Sequence, residues 1–214
     1  MSDEKLRELE RRSKQSGAVE DEAAFLLARV RTANLALERL ELAAYCGHEG
    51  AQAALSTYGA DPHNPRQESN GPPADLGQLL VSLEPWGRWA LATAAIAAAT
   101  RAIDAVERHG RPELLRLLAL SRSALDLRSN DRPPEADEVY RSLTANHFAG
   151  NSPAFRDDPA WRATAAVLAA FRAATGRYHA ASAAVQDAAF VAGDAAVREG
   201  VLGALRTWAV EAPL

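Results

Sequence analysis

The chain has 214 residues, of which 48% are hydrophobic and 6% aromatic, and its formal net charge is −4. This length suffices for one large domain or two small ones, and the hydrophobic fraction suffices for a real core. Charges of both signs are mixed along the chain, without the concentrated basic patch that phosphate binding requires, so we expect no nucleic-acid partner. The single cysteine, Cys46, excludes an internal disulfide framework.

The first residues predict a cytoplasmic protein. The segment MSDEKLRELERR is charged and polar where a secretory signal peptide would carry an apolar stretch. Cytoplasmic residence is therefore the default expectation.

Residues 1–58 predict an N-terminal module of three or four short helices. Helices are expected over residues 2–16 and 20–31, then in a third segment capped by Asn34, and over residues 48–57. In the third helix, Leu37, Leu40 and Ala44 form the better core stripe. Short helices joined by tight turns resemble the helix pairs of α-solenoids, although no fixed repeat period is present.

Residues 59–74, GADPHNPRQESNGPPA, predict a linker. Gly, Pro, Asn and Asp are concentrated there, and the segment exceeds the usual length of a connection within a compact domain. It is expected to separate the N-terminal module from a C-terminal alanine-rich helical bundle over residues 75–214. The predicted fold class is therefore all-α.

The longest predicted helix covers residues 85–109 and is expected to form the central axis of that bundle. Pro85 suits a first helical turn, alanine fills the interior, and Gly110 is a natural C-cap. The uncharged run between Arg88 and Arg101 is about 12 residues long. A bilayer requires ~20, so we expect no membrane span.

The remaining helices are expected over residues 75–83, 112–127, 134–148, 159–175, 178–192 and 194–210. The second of these is strongly amphipathic. Its predicted inward residues are Leu114, Leu115, Leu118 and Leu125.

No catalytic motif, cofactor motif or metal-ligand set is recognisable, so we predict no catalytic residue, no cofactor and no metal. Cys46 and His48 form a Cys-x-His pair, but zinc needs further ligands and no second cysteine exists. A nucleophilic cysteine is the alternative to a buried cysteine beside a helix-capping histidine, which we favour. The four tryptophans are expected to fill gaps between alanine-rich helices rather than to stack on a ligand.

An acidic stretch is the most distinctive polar feature. A solvated helix N-terminus explains most of it, and the functional alternative is a docking face for a basic protein partner. The candidate partner-binding residues are Asp126, Asp131, Glu135, Asp137, Glu138 and Tyr140.

The segment from Trp86 to His109, followed by RPELLRLLALSRSALDL, resembles the immunity-protein domain of bacterial polymorphic toxin systems. Shared features are a tryptophan-containing start, a long alanine-rich helix with a charged end, a short turn and further alanine-rich helices. The segment VEDEAAFLLARVRTANLALERLELAAYCGHEGAQAAL is similar to the helical leader that precedes such domains. The resemblance implies a non-enzymatic cytoplasmic protein that binds a protein partner such as a toxin.

Three hypotheses follow. The leading one is a non-catalytic protein-interaction module of the immunity-inhibitor type, and the second is a helical scaffold or regulator that self-associates into a homo-oligomer. The third is a helical enzyme that binds a small molecule or a metal.

Overall fold

The computed structural model of this chain describes residues 3–59, 71–106, 112–126, 134–149 and 157–211. These residues form α-helices and one 3₁₀ turn, with no strand among them, which confirms the predicted all-α fold. The α-helices are α1 (Asp3–Ser16), α2 (Val19–Arg31), α3 (Leu37–Tyr45), α4 (Glu49–Tyr58), α5 (Leu76–Leu83), α6 (Arg88–Ala105), α7 (Pro112–Asp126), α8 (Pro134–Ala149), α9 (Pro159–Ala174), α10 (Ala180–Ala192) and α11 (Asp194–Glu211).

The contacts divide the chain into two compact units. Unit 1 comprises Met1–Pro72 together with Leu205–Leu214, and unit 2 comprises Pro73–Ala204. The second unit differs from the predicted bundle of residues 75–214 mainly at its end, because the last turns of α11 belong to unit 1. Most of the predicted linker, residues 60–70, lies outside the described residues.

Helix α6 is the centre of unit 2, as predicted. Residues 90–99 are all buried, and the helix packs against α7, α9 and α10. Seven of the ten buried positions of α6 in this run are alanine, and so small a side chain lets neighbouring helices approach closely on every side. Among the described residues, no helix combines the length and the apolar composition needed to cross a bilayer.

The beginning of α6 differs from the prediction. Pro85 belongs to a separate 3₁₀ turn, Glu84–Trp86, and Gly87 follows with φ 80°. A backbone in this left-handed region interrupts the helix, so α6 begins at Arg88 rather than at Pro85. The helix ends at Ala105, and the predicted end at His109 lies outside the described residues.

The turn between α2 and α3 corrects the predicted role of Asn34. Its backbone N–H donates to the carbonyl of Arg29 at 2.8 Å, and that of Ala33 donates to Val30 at 3.0 Å. These two bonds close the C-terminal turn of α2, so Asn34 ends one helix instead of beginning the next. The N-cap of α3 is Ala36, which offers no side-chain acceptor.

The buried face of α3 also differs from the predicted stripe. Leu40 is buried as expected, but Leu37 and Ala44 are only half-buried. Leu35 and Leu42, which are not part of that stripe, are fully buried. Leu35 precedes the helix, so helical periodicity could not place it correctly.

The last turns of α11 are held in unit 1 by two arginines. The Arg39 side chain donates from Nε to the carbonyl of Ala209 at 2.9 Å and from Nη2 to that of Trp208 at 2.7 Å. Arg29 Nη1 donates to the carbonyl of Val210. These are carbonyls at a helix C-terminus, which have no partner within their own helix.

Candidate functional site

The predicted acidic residues lie at the end of α7 and the beginning of α8. Asp131 lies outside the described residues, and so does the side chain of Asp126. Glu135 and Asp137 occupy the first turn of α8, where unpaired backbone N–H groups favour negative charge. The solvated helix N-terminus expected from the sequence is therefore present.

Glu135 forms an ion pair across to α7. Its Oε1 accepts from Arg116 Nε at 3.0 Å and also from Arg116 Nη2. Both side chains are more than half exposed. The hydrogen bond and the charge of Glu135, helped by the charge of Glu138, raise the pKa of Arg116. This pair fixes the position of Arg116 beside α8.

Glu138 and Tyr140 lie on different sides of α8. Glu138 is exposed and lies within about 60° of Glu135 around the helix axis, at 100° per residue. Tyr140 is half-buried, and its ring packs against that of Phe171 in α9 with centroids 5.2 Å apart. The structure therefore brings Glu135 and Glu138 together, whereas Tyr140 faces α9.

Asp137 is half-buried, and its backbone carbonyl accepts from Arg141 Nε at 3.2 Å. This contact places a second basic side chain on α8. The exposed acidic charge is thus carried by Glu135 and Glu138, with Arg116 and Arg141 beside them.

Leu115 is a residue that sequence reasoning placed wrongly. It was predicted to point inward, but it is 57% exposed, while Leu117 is fully buried in its place. The buried positions 114, 117, 118, 121 and 125 of α7 form one stripe at helical spacing, and Leu115 falls outside it. That spacing, applied strictly, was the signal that could have identified an exposed leucine.

Leu115, Arg116, Glu135 and Glu138 together form what we name the α7–α8 face. The α7 helix contributes an exposed apolar side chain and one arginine, and the adjoining α8 helix contributes the partner of that arginine and a further exposed carboxylate. The arrangement offers no nucleophile or proton-transfer pair. It offers apolar contact area with charged groups beside it, which is the composition of a protein-binding surface.

Cys46 and His48 have structural roles. Burial raises the pKa of the Cys46 thiol to about 12, so the thiolate that a nucleophile requires does not form near neutral pH. His48 is the N-cap of α4, where Nδ1 accepts from the backbone N–H of Ala51 at 3.3 Å. The interpretation as a buried cysteine and a capping histidine is confirmed.

Other chemistry-bearing groups are dispersed in the part of the chain that the structure describes. It contains no group of three or more His, Cys, Asp or Glu side chains that could hold a metal ion. His147 stacks on Trp161 with centroids 4.1 Å apart, and His179 precedes α10 without capping it by its side chain. His63 and His109 lie outside the described residues.

The tryptophans are half-buried rather than fully enclosed. Arg88 lies over the ring of Trp89 at 4.3 Å, and Arg39 lies over that of Trp208 at 5.2 Å. Each of these rings covers part of the core with one side and receives a guanidinium group on the other.

Unit 1 contains an open groove of about 670 Å³. Leu6 and Glu10 of α1 and Phe25 and Leu26 of α2 line it, together with residues near the end of α11. Its lining includes three basic and three acidic residues, so its net charge favours neither sign on a ligand: Arg7, Lys14, Arg29, Glu10, Glu22 and Glu211.

Comparisons of the chain with protein-family models, with curated proteins and with solved structures find no match.

Proposed function

We propose that this chain is a non-catalytic protein-interaction module that binds a basic protein partner through the α7–α8 face. The observation that carries the proposal is the exposure of Leu115 on α7 together with the exposed carboxylates of Glu135 and Glu138 on the adjoining helix α8. Burial of such an apolar side chain supplies affinity, and the surrounding charges set the orientation and speed of association.

The exposed carboxylates of Glu113, Glu135 and Glu138 outnumber the guanidinium groups of Arg116 and Arg141 by one, so these charges favour a basic partner over an acidic one. Arg116 is already paired with Glu135, whereas the carboxylate of Glu138 is exposed. Glu113, also exposed, lies in the first turn of α7. Two adjoining helices thus begin with exposed carboxylates, which can receive a lysine or arginine of a partner.

We further propose that the partner is a toxin and that the chain acts as an immunity-type inhibitor in the cytoplasm. The resemblance of the alanine-rich helices to immunity-protein domains supports this assignment. An inhibitor of this type acts by covering a basic surface of the toxin and needs no chemistry of its own.

The test uses the product of the neighbouring gene, because immunity proteins are normally encoded beside their toxins. Binding to the whole chain is measured by calorimetry at two salt concentrations. We expect Glu135→Arg/Glu138→Arg to weaken binding by at least about 10-fold, since opposite charges become like charges. Leu115→Ser should weaken binding independently of salt.

The matched control is Glu49→Arg/Glu199→Arg, which reverses two exposed glutamates on other helices. This control has the same net charge as Glu135→Arg/Glu138→Arg and should bind the partner as tightly as the wild type does. Equal binding by both double variants would refute a contact at the α7–α8 face. Failure of the chain to bind or neutralise the neighbouring protein would refute the immunity assignment.

A further inference from the structure

Helix α1 is the least buried helix of unit 1. None of its 14 residues is buried, and Leu6, Leu9, Glu10 and Ser13 are half-buried where the helix packs on α2. Few apolar contacts mean that little free energy is required to lift such a helix from its position.

The open groove runs beside this helix. Leu6 and Glu10 line it from α1, and Phe25 and Leu26 line it from α2. A groove of about 670 Å³ that is open to solvent leaves part of the surface of α1 beside α2 uncovered.

The charges of the two helices are complementary in antiparallel order. Arg11 and Lys14 of α1 pair with glutamates of the same helix. Arg12 pairs across to α2, whose first turn holds Glu20, Asp21 and Glu22. Arg12 Nε and Asp21 Oδ1 lie 2.8 Å apart. The α1 helix of a second copy of the chain would make the same contact with α2.

The connection between the helices consists of Gly17 and Ala18, and Ala18 is extended, with φ −79° and ψ 138°. Gly17 has φ +60°, and a Cβ added there would meet nothing within 4 Å. Its N–H donates to the carbonyl of Ser13 at 3.1 Å, so α1 is helical up to the bend. If Gly17 and Ala18 both took helical angles, residues 3–31 would form one helix of roughly 43 Å.

We propose that α1 exchanges between two copies of this chain, with the α1 of each copy packing on the α2 of the other. The partner is a second copy because the surface on α2 that receives α1 is complementary to α1 itself. When the connection around Gly17 straightens into a hinge, two copies exchange their α1 helices and form a closed two-fold dimer. Every α1–α2 contact forms again in this dimer, including that of Arg12 with Asp21. This inference is independent of the proposed toxin partner.

The first experiment changes the hinge. Gly17→Ala disfavours the left-handed bend and favours the straight helix, so it should shift the equilibrium toward the exchanged dimer by about 30-fold per hinge. Sedimentation velocity over a concentration series should show a dimer for Gly17→Ala at concentrations where the wild type is monomeric. Gly17→Asn, which tolerates positive φ, should resemble the wild type.

The matched control is Gly47→Ala, which changes a glycine with φ +88° and equally open surroundings between α3 and α4. Those helices are anchored by buried Leu40, Leu42 and Ala54, so the variant should lose stability and remain monomeric. A monomeric Gly17→Ala protein at every concentration, or dimers of both variants, would overturn the proposal.

A second experiment identifies the contact. Arg12→Glu and Asp21→Arg each place like charges together within one chain, but an exchanged heterodimer of the two variants restores both ion pairs. After the variants are mixed, warmed and cooled, the heterodimer should therefore be more abundant than either homodimer. This should hold when both variants carry Gly17 and when both carry Gly17→Ala. A statistical mixture would place self-association on another surface and overturn the proposal.

Discussion

In the part of the chain that the structure describes, α2, α3 and α9 end in a turn closed by a hydrogen bond from an N–H to the carbonyl five residues earlier. The residue in the left-handed conformation decides how well each turn is accommodated. The residue in the left-handed conformation is Gly47 after α3 and Gly176 after α9, but it is Ala33 after α2, with φ 58°. An L-residue with a Cβ is disfavoured in this region by about 1–2 kcal/mol. Ala33 therefore adopts a backbone conformation that its side chain disfavours.

Replacing Ala33 by glycine is expected to stabilise unit 1. Removing the Cβ relieves the left-handed strain, and the greater freedom of glycine in the unfolded chain offsets part of the gain. We expect the free energy of unfolding to rise by about 0.5–1 kcal/mol, measured by urea denaturation. Gly47→Ala, the reverse change in an equivalent turn, should lower it, and a destabilised Ala33→Gly protein would contradict this explanation.

Cys46 should make stability depend on alkaline pH. Because burial raises the pKa of the folded thiol from 9.0 to about 12, the unfolded chain loses this proton first. The contribution of Cys46 to the free energy of unfolding is fully present below about pH 9. It is lost as the pH rises toward 12, by about 1.4 kcal/mol per pH unit. Between about pH 9 and pH 10 the wild type should therefore lose more stability than Cys46→Ala.

Urea denaturation of both proteins at these pH values measures this difference directly. Other titrating groups are shared by the two proteins and cancel in the comparison. Parallel stability profiles for the wild type and Cys46→Ala would show that the thiol ionises equally in the folded and unfolded states.

At the scale of the element, the sequence predicted where helices lie better than which side of each is buried. Helix α7 was predicted over residues 112–127 and is observed over Pro112–Asp126. Its inward face was predicted with Leu115, yet Leu117 is buried instead. Six leucines crowd this helix, so hydrophobicity alone cannot decide which of them contacts α6, α8 and α9.

The two leucines provide a matched pair of substitutions. Leu117→Ala should lower the free energy of unfolding by about 2–4 kcal/mol, because it removes a fully buried side chain and leaves a cavity. Leu115→Ala should change it by less than about 0.5 kcal/mol. Thermal and urea denaturation test both, and equal effects would mean that the two side chains are equally buried.

At the scale of the whole molecule, the last turns of α11 belong to unit 1, together with α1 to α4. The buried guanidinium group of Arg39 binds two carbonyls in the last turns of α11 and lies over the Trp208 ring. Leu205 and Ala209 are fully buried in unit 1. A long-range contact of this kind leaves no periodic signal in the sequence.

Removal of Arg39 should loosen the end of α11. Arg39→Ala leaves the carbonyls of Trp208 and Ala209 without this donor, and we expect a loss of about 3 kcal/mol. Hydrogen exchange should increase in residues 205–211. Arg39→Lys should recover little of the lost free energy of unfolding, since an ammonium group lacks the planar set of donors that reaches both carbonyls.

The control is Arg31→Ala, which removes an exposed arginine from the last turn of α2. It should leave both unfolding and hydrogen exchange nearly unchanged. Unchanged protection of residues 205–211 in Arg39→Ala would show that these carbonyls are held by other contacts.

The sequence by itself determined the all-α class, the positions of most helices and the buried centre of α6, because alanine, glycine and proline act on the backbone locally. It also indicated the carboxylates at the start of α8, although two of the six candidate residues lie outside the described side chains. Only the tertiary structure decided that Glu135 pairs with Arg116, that Leu115 stands exposed and that α11 ends in unit 1. These features depend on which helices become neighbours, and neighbours distant in sequence are chosen by packing rather than by local propensity.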